Sequence, residues 1–252
     1  MWSPWCFAFL HSDDAVTVNP SEVVIGELLA NANVCGEMVS SCVPRCPTQP
    51  EVNGKKLMYA IDPQAQNVLF REARTANTFS SDPVSDEQIQ AIYELAKWGP
   101  TSMNTQPLRV VLVRSNDAKA KLMNRLVDGN KPKAQQAPLV AIIAADLSFH
   151  DRLEETFPIF PGAKDLYADD TYRTQFAIGQ TWLQAGYFIM GVRALGLAAG
   201  PMLGIDAAGI DADLLSGTNL RTVMVVNIGK PGENAWFDRL PRLSYESVTT
   251  VL

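Results

Sequence analysis

The sequence has little histidine, and this scarcity narrows the chemistry that the chain can perform. Only His11 and His150 occur in 252 residues. A chain with one histidine in its main body is poorly suited to histidine-based acid–base catalysis, to a nucleophilic triad or to a histidine metal site. The glycine-rich dinucleotide loop, the phosphate-binding lysine loop, the Gly-x-Ser-x-Gly turn and the His-Glu-x-x-His motif are also missing. If the chain is an enzyme, we expect a bound cofactor to carry the difficult chemistry.

Cysteine is confined to the first part of the chain. Cys6, Cys35, Cys42 and Cys46 lie within residues 1–57, and the remainder has none. A secreted disulfide scaffold spreads its bridges through the fold, so we expect the main body to be a reduced, cytoplasmic protein. Cys42 and Cys46 lack the second pair or the histidine that a zinc site needs, and we expect no metal there.

Basic charge and long apolar runs are also scarce. The chain has 21 basic and 27 acidic residues, a net charge of -6 and a pI near 5.0, which argues against a nucleic-acid-binding protein. No run of about 18 uncharged apolar residues occurs, so no membrane span is predicted. Hydrophobic residues make up 47% of the chain, enough for the core of one large domain, with or without a tail.

Residues 1–57 differ from the rest in composition, and we expect them to lie outside the fold. Residues 1–10 are apolar but have neither a basic start nor a cleavage site, which argues against a signal peptide. Residues Pro20 to Ala30 favour a short helix. A regular pattern begins after Met58, so we predict an extension over 1–57, explained by a mis-assigned start, and a domain over 58–252. A genuine regulatory or targeting tail is the alternative.

The domain interleaves helices and strands irregularly. Asp62 before Pro63 predicts a helix start, and Ser85 with Gln88 predicts a capping box at the start of a second helix, which Gly99 ends. The predicted helices cover 63–76, 86–98, 116–127, 171–195 and 206–215, and the predicted strands cover 108–114, 139–145, 222–228 and the β-leaning terminus 244–252. Because this is not the strict alternation of a doubly wound sheet, we predict a layered α+β domain.

Apolar spacing predicts which side chains face the core. These are Val68, Leu69 and Ala73 in the first helix, Ile89, Ile92, Leu95 and Ala96 in the second, and Leu122 and Leu126 in the third. The helix from Thr171 to Leu195 is apolar almost all round, which indicates either a central core helix or a subunit interface.

Four segments carry groups that suit a bound cofactor, and each has a plainer alternative. Arg71 to Asn77 offers arginine and neutral donors for a phosphate, or is a solvated helix face. Trp98 to Pro107 is rich in small donors and acceptors that suit a heterocycle, or is a polar turn. Ala199 to Asp206 has glycines that admit a flat ligand, or is a helix stop followed by an N-cap. Arg239 to Leu243 suits an anion, or is surface charge.

The four segments also contain a specific combination of patterns. These are Arg-x-x-Asn-x-Phe from Arg74, Gly-Pro-Thr-Ser-x-Asn-x-Gln-Pro from Gly99, Gly-Pro-Met-x-Gly-x-Asp from Gly200 and Leu-Pro-Arg-Leu from Leu240. In this order and spacing they resemble the FMN-dependent nitroreductase superfamily over about residues 62–252. Within it they are most similar to the RutE/HadB branch, the malonic semialdehyde reductases.

The resemblance implies a fold, an assembly and a cofactor site. It implies a three-layer fold with a central mixed sheet and helices on both faces, and a homodimer with the long helix and two FMN sites at its interface. By position it assigns Arg74, Thr75 and Asn77 to the phosphate and ribityl chain, Arg242 to the phosphate, Lys133 to a further flavin or phosphate contact, Thr101, Ser102, Asn104 and Gln106 to the loop around the isoalloxazine ring, and the backbone of Leu203 and Gly204 to the flavin N5 region. Many relatives have an acidic residue in place of Leu203, a departure that bears on substrate preference.

The implied chemistry is a ping-pong hydride transfer, in which FMN takes a hydride at N5 from NADPH or NADH and passes it to a second substrate. The implied reaction is reduction of malonic semialdehyde to 3-hydroxypropionate in pyrimidine degradation, with water or Ser102 as the proton donor and no other catalytic side chain. Three alternatives stay open. They are a nitroaromatic or quinone acceptor on the same fold, a flavin-binding protein without turnover, and an interaction domain without flavin.

Overall fold

The computed structural model describes residues 51–52, 55–56 and 59–252. The expected helix from Pro20 to Ala30, all the cysteines and the boundary at Met58 lie outside these residues. Strands β1 (Glu51–Val52) and β2 (Lys55–Lys56) pair antiparallel. Among the described helices, none has both the length and the apolar character needed to span a bilayer. No group of metal-ligating side chains is found in this part of the chain either.

A four-stranded sheet forms the centre of the fold. Its strands are β3 (Leu108–Val113), β4 (Leu139–Asp146), β5 (Ala198–Met202) and β6 (Leu220–Gly229), in the spatial order β3-β4-β6-β5. The predicted α+β class is confirmed. All pairings in this described sheet are antiparallel, whereas the resemblance implied a mixed sheet. Strand β5 was not predicted, because Gly200 and Pro201 in its middle are typical of a turn.

Helices and shorter turns surround the sheet. The helices are α1 (Pro63–Gln66), α2 (Asp86–Ala96), α3 (Asn116–Met123), α4 (Lys131–Gln136), α5 (Leu153–Thr156), α6 (Asp170–Ala194), α7 (Ala207–Leu214) and α8 (Tyr245–Val248). A π-helical turn (Asn67–Arg71) continues α1, and 3-10 turns cover Ser102–Asn104, Phe149–Arg152 and Ala163–Tyr167. The predicted capping box is confirmed, since Ser85 Oγ accepts from Gln88 N and Gln88 Oε1 accepts from Ser85 N.

The helices cover both faces of the sheet, as the resemblance implied. Along β4, Leu139, Ala141 and Ile143 belong to the core beneath α2 and α6, whereas Val140 and Ile142 belong to the core beneath α3 and α7. Because both faces of β4 are buried, its sequence is a continuous apolar run rather than an alternating one.

Helix α6 is apolar on more faces than this chain covers. Ala185, Phe188 and Val192 are buried against the sheet. Trp182 and Leu183 keep 41% and 44% of their surface exposed. One face of α6 therefore serves the core, as predicted for a central helix, and another presents large apolar side chains at the surface of the chain.

The first helix is shorter than predicted. Asp62 caps it as expected, because its Oδ1 accepts a hydrogen bond of 2.9 Å from Ala65 N. Helical structure ends at Arg71, before the predicted end near residue 76. Beyond that point the backbone N–H of Asn77 donates to the carbonyl of Ala235 at 2.9 Å. A partner distant in sequence thus overrides the local helical pattern.

Several side chains and one terminal segment also test the sequence pattern. The predicted core residues Ile92, Ala96, Leu122 and Leu126 are buried. Val68 and Leu95, predicted to be buried, are 41% and 52% exposed, so these predictions were wrong.

The C-terminus forms the short helix α8 instead of a strand. Ser244 Oγ caps it by accepting from Ser247 N at 3.3 Å, and such local capping favours a helical turn.

Candidate functional site

An open cleft of about 370 Å³ brings together residues from three distant parts of the chain. The predicted site residues that line it are Arg74, Thr75, Asn77, Lys133 and Arg242. The first three follow the π-helical turn, Lys133 lies on α4, and Arg242 lies near the C-terminus. These segments therefore meet at one cleft, in which Arg74, Thr75 and Arg242 are exposed to solvent.

Backbone hydrogen bonds explain why these segments meet. Asn77 N donates to Ala235 O at 2.9 Å, and Thr78 Oγ1 donates to Glu233 O at 2.7 Å. Arg74 Nη1 donates to the carbonyl of Phe237 at 3.2 Å. The C-terminal segment is thus held along residues 74–78, and Arg242 is carried to the same cleft as Arg74.

Arg239 lies in a segment that the sequence indicated as suited to an anion, but the resemblance assigned only Arg242 of that segment to the phosphate. It lines the same cleft, and its Nη2 donates to the carbonyls of Arg71 and Ala73, the latter at 3.2 Å. Arg71 is the last residue of the π-helical turn and Ala73 follows it, so Arg239 acts as a C-terminal cap.

The cleft is strongly positive in an acidic protein. Arg74, Lys133, Arg239 and Arg242 line it, against the single carboxylate of Asp238 among its lining residues. Arg74 and Arg242 each use only Nη1 for hydrogen bonds within the described residues, which leaves guanidinium donors for a ligand. Cations with spare N–H groups bind phosphate by charge-assisted hydrogen bonds, so this donor set fits a phosphate monoester.

A second part of the candidate site is the turn after β5. The carbonyl of Gly204 accepts from Val127 N and from Asn130 Nδ2, both at 3.1 Å. A Cβ at Gly204 would lie 2.6 Å from Val127 Cγ2, so a larger residue here would have to displace Val127. The backbone N–H groups of Leu203 and Gly204 make no hydrogen bond within the described part of the chain. Asn130 directly precedes α4, which ties this turn to the helix of Lys133.

The N-cap alternative for the same segment is also correct in part. Asp206 Oδ1 accepts from Gly209 N at 2.9 Å and so caps α7. Asp206 Oδ2 forms an ion pair with Arg125 Nη1 at 3.0 Å. The carbonyl of Leu203 accepts from Ile205 N at 2.9 Å, and the residue is 63% exposed. The segment therefore combines a structural cap with an exposed turn that has free donors.

The loop from Thr101 to Gln106 is strained. Met103, Asn104 and Gln106 have backbone φ values of 51°, 51° and 44°. These values lie in the left-handed region, which residues other than glycine rarely adopt. Such conformations persist only where the surroundings over-determine them, and they concentrate at functional sites. Here Gln106 Nε2 donates to Asn104 Oδ1 at 2.9 Å, and Asn104 Nδ2 donates to Thr156 O at 2.7 Å.

Within one chain, the loop from Thr101 to Gln106 is not part of the cationic cleft that Arg74 lines. Ser102 N donates to Gln180 Oε1 of α6 at 2.9 Å, and Gln106 N donates to Thr101 Oγ1 at 3.3 Å. None of the loop residues lines the cleft of Arg74. The Ser102 hydroxyl makes no hydrogen bond to another described residue, so it is free to donate to a ligand.

Tyr167 lies behind the loop and is not a suitable acid. Its hydroxyl donates to Met103 Sδ at 3.5 Å, and the residue is buried. Burial raises the pKa of Tyr167 to about 12, with a smaller contribution from Tyr172. The hydroxyl thus keeps its proton near neutral pH and supports Met103 rather than exchanging protons.

Comparisons with known protein families, sequences and structures agree on one family. A model of the nitroreductase family matches residues 70–230. A Streptomyces griseus protein named as a candidate NADH dehydrogenase/NAD(P)H nitroreductase is 56% identical over 193 residues, 76% of this chain and 98% of that protein. A candidate nitroreductase of Exiguobacterium sibiricum, solved with FMN, shares the fold with a TM-score of 0.66 and 18% identity, over 77% of this chain and 99% of its own.

Proposed function

The chain belongs to the nitroreductase family, and from that premise we propose that it binds FMN and reduces a small acceptor with NAD(P)H. The observation that carries the proposal is the cationic cleft of Arg74, Lys133, Arg239 and Arg242. An acidic chain that concentrates four cations around one cleft has a field suited to a phosphate dianion. The names of its relatives support NAD(P)H as the reductant.

The cleft residues divide the binding of FMN between charge and neutral donors. Arg74 and Arg242 bind the phosphate through the guanidinium N–H groups that the fold leaves free. Lys133 adds a point charge from α4. Thr75 and Asn77 line the same cleft and donate to the ribityl hydroxyls.

The turn after β5 holds the ring end of the cofactor. The free backbone N–H groups of Leu203 and Gly204 donate to the flavin near N5. When bound, FMN supplies the hydride chemistry, by accepting a hydride from NAD(P)H and delivering it to the acceptor. Leu203 is uncharged and 63% exposed, so its side chain adds no charge beside that position.

The strained loop completes the site of a second copy of the chain. In the homodimer that we propose, Thr101, Ser102, Asn104 and Gln106 reach the ring bound by the partner subunit. The loop does not line its own chain's cleft, and α6 has exposed Trp182 and Leu183 suited to a subunit interface. The free hydroxyl of Ser102 or a water molecule protonates the reduced acceptor.

We propose malonic semialdehyde as the acceptor, on the motifs of the RutE/HadB branch. A nitroaromatic or quinone acceptor is the second candidate, which the names of the relatives favour. The purified protein should be yellow, release FMN on acid precipitation and be bleached by NADPH or NADH. Comparison of kcat/KM for malonic semialdehyde and for a nitroaromatic then separates the candidates. Bound flavin that NAD(P)H does not bleach would indicate a flavin-binding protein without turnover.

A further inference from the structure

We propose that Arg109, near the start of β3, is a positioning residue. It holds the loop from Thr101 to Gln106 in its strained conformation. The link to catalysis rests on the proposed function, because it assumes that this loop borders the flavin. The link to loop geometry does not, since it follows from hydrogen bonds alone.

Arg109 donates hydrogen bonds to backbone carbonyl groups just after the loop and at its end. Its Nη1 donates to Gln106 O at 3.0 Å and to Leu108 O at 2.8 Å. Its Nη2 pairs with Asp146 Oδ2 at 2.6 Å. The carbonyl between these two, that of Pro107, accepts from Asp146 N at 2.9 Å. Arg109 and Asp146 together therefore hold three consecutive carbonyls.

The same pair closes a circuit around the loop, made of hydrogen bonds and the stretch of backbone from Ser148 to Thr156. Asp146 Oδ1 accepts from Ser148 N at 2.8 Å, at the start of the segment that leads to Thr156. Thr156 O accepts from Asn104 Nδ2, and Asn104 Oδ1 accepts from Gln106 Nε2. Gln106 O returns the circuit to Arg109.

The circuit acts where the backbone is least favourable. Asn104 and Gln106 both have positive φ values, so each tends to relax unless its neighbours prevent it. Arg109 and Asp146 are 33% and 16% exposed at their side chains, so water competes only in part with their contacts. Without the guanidinium, the carbonyl of Gln106 loses a hydrogen bond and Gln106 can shift. The amide of Asn104, which Gln106 Nε2 holds through Oδ1, then loses its fixed orientation.

A second arginine, at the other end of β3, provides a matched control. Arg114 follows β3, pairs with Asp86 Oδ1 at 2.5 Å and donates to Val84 O at 3.4 Å. Its side chain is 44% exposed, similar to that of Arg109. Arg114 makes none of the contacts to the loop. An Arg114→Gln variant therefore removes an ion pair next to β3 and leaves the contacts of the circuit in place.

The experiment compares Arg109→Gln, Arg109→Lys and Arg114→Gln in the full chain as purified. Hydrogen exchange of the backbone amides of residues 102–106 and 108 should be about tenfold faster or more in Arg109→Gln, because charged hydrogen bonds that hold the loop are lost. Arg109→Lys should restore part of the protection, since lysine keeps the charge but not the fork. Arg114→Gln should exchange these amides as the unaltered chain does.

A catalytic and a spectroscopic measurement follow in the same variants. In Arg109→Gln, kcat/KM should fall by about 10- to 100-fold through kcat, with FMN content unchanged and the visible circular dichroism of the flavin altered. Loop exchange in Arg109→Gln equal to that in Arg114→Gln would overturn the positioning role, whether or not the protein contains flavin. Faster exchange with unchanged kcat and flavin spectrum would remove the catalytic link. Absence of FMN from the unaltered chain would instead overturn the proposed function and leave the exchange result standing.

Discussion

Gln184, in the middle of α6, accepts a hydrogen bond of 2.9 Å at Oε1 from the backbone N–H of Leu108. Gln184 is only 6% exposed, although its side chain is polar. One turn earlier on the same helix face, Gln180 Oε1 accepts from Ser102 N, also at 2.9 Å. Helix α6 thus anchors the strained loop near both of its ends through two glutamine side chains that accept from backbone N–H groups, in addition to covering the sheet.

This arrangement predicts unequal costs for two similar substitutions. Gln184→Leu should lower the free energy of unfolding by about 1–3 kcal/mol, because it leaves the Leu108 N–H without its acceptor in a largely buried place. Gln180→Leu should cost less than about 1 kcal/mol, since Ser102 is exposed and water replaces the acceptor. Urea denaturation of both variants is the measurement. Equal costs would show that burial of Gln184 does not determine its contribution.

The assignment of the phosphate cleft predicts loss of flavin from a double variant. Arg74→Ala with Arg242→Ala should abolish stoichiometric FMN, because each charge-assisted contact contributes roughly 1.5–3 kcal/mol. Arg152→Ala with Arg221→Ala, which removes two arginines outside this cleft, is the control and should keep its flavin. Bound FMN per chain is measured by absorbance after acid release. Retention of full FMN by the first variant would place the phosphate elsewhere.

The turn after β5 predicts a specific effect of an added methyl group. Gly204→Ala should weaken FMN binding and lower stability by about 1–3 kcal/mol, because its Cβ would meet Val127 at 2.6 Å and Asn130 at 2.9 Å. Gly129→Ala is the matched control in the adjoining segment, where an added Cβ meets nothing within 4 Å. Flavin titration and thermal unfolding are the measurements. If Gly204→Ala behaves like Gly129→Ala, the turn yields without cost and its packing is not a constraint.

His150 predicts a pH dependence of stability. Burial lowers the pKa of His150, an effect that outweighs attraction by Asp151. The unfolded chain therefore binds a proton more readily than the folded chain, and stability falls as pH drops below the ordinary histidine value. Above that value the histidine is neutral in both states and contributes no slope. His150→Gln should thus lose less stability than the unaltered chain between about pH 7.5 and about pH 5.5.

Urea denaturation at both pH values measures this difference, and subtraction of the two chains cancels the carboxylates that they share. The opposite order would mean that Asp151, whose Oδ1 lies 4.0 Å from His150 Nε2, dominates the titration.

The N-terminal extension predicts a neutral truncation. A chain that begins at Met58 should keep the flavin content, kcat and melting temperature of the full chain. The relatives support this expectation, since 193 matched residues make up 98% of the Streptomyces griseus protein. Size-exclusion chromatography, flavin absorbance and thermal unfolding of the two chains are the measurements. Misfolding or loss of flavin on truncation would make residues 1–57 part of the functional unit.

Local features were predictable because each depends on neighbours in sequence. The caps at Asp62, Ser85 and Asp206 are hydrogen bonds between residues three apart, so the order of residues specifies them. The continuous apolar run of β4 likewise predicts burial on both faces. The family patterns predicted the cleft residues by resemblance, and Arg74, Lys133 and Arg242 do share a cleft.

Only the tertiary structure decided how distant groups combine. Residues beyond Arg71 leave the helix because Asn77 finds its acceptor in Ala235, and no local pattern contains that partner. Arg239 and Arg242 stand in the same short segment, yet Arg239 caps carbonyls at the end of the π-helical turn and Arg242 keeps donors for a ligand. Gln184, Arg109 and Asp146 gained their importance in the same way. A hydrogen bond between residues far apart in sequence forms only once packing has brought its two atoms within reach, and sequence order does not encode that distance directly.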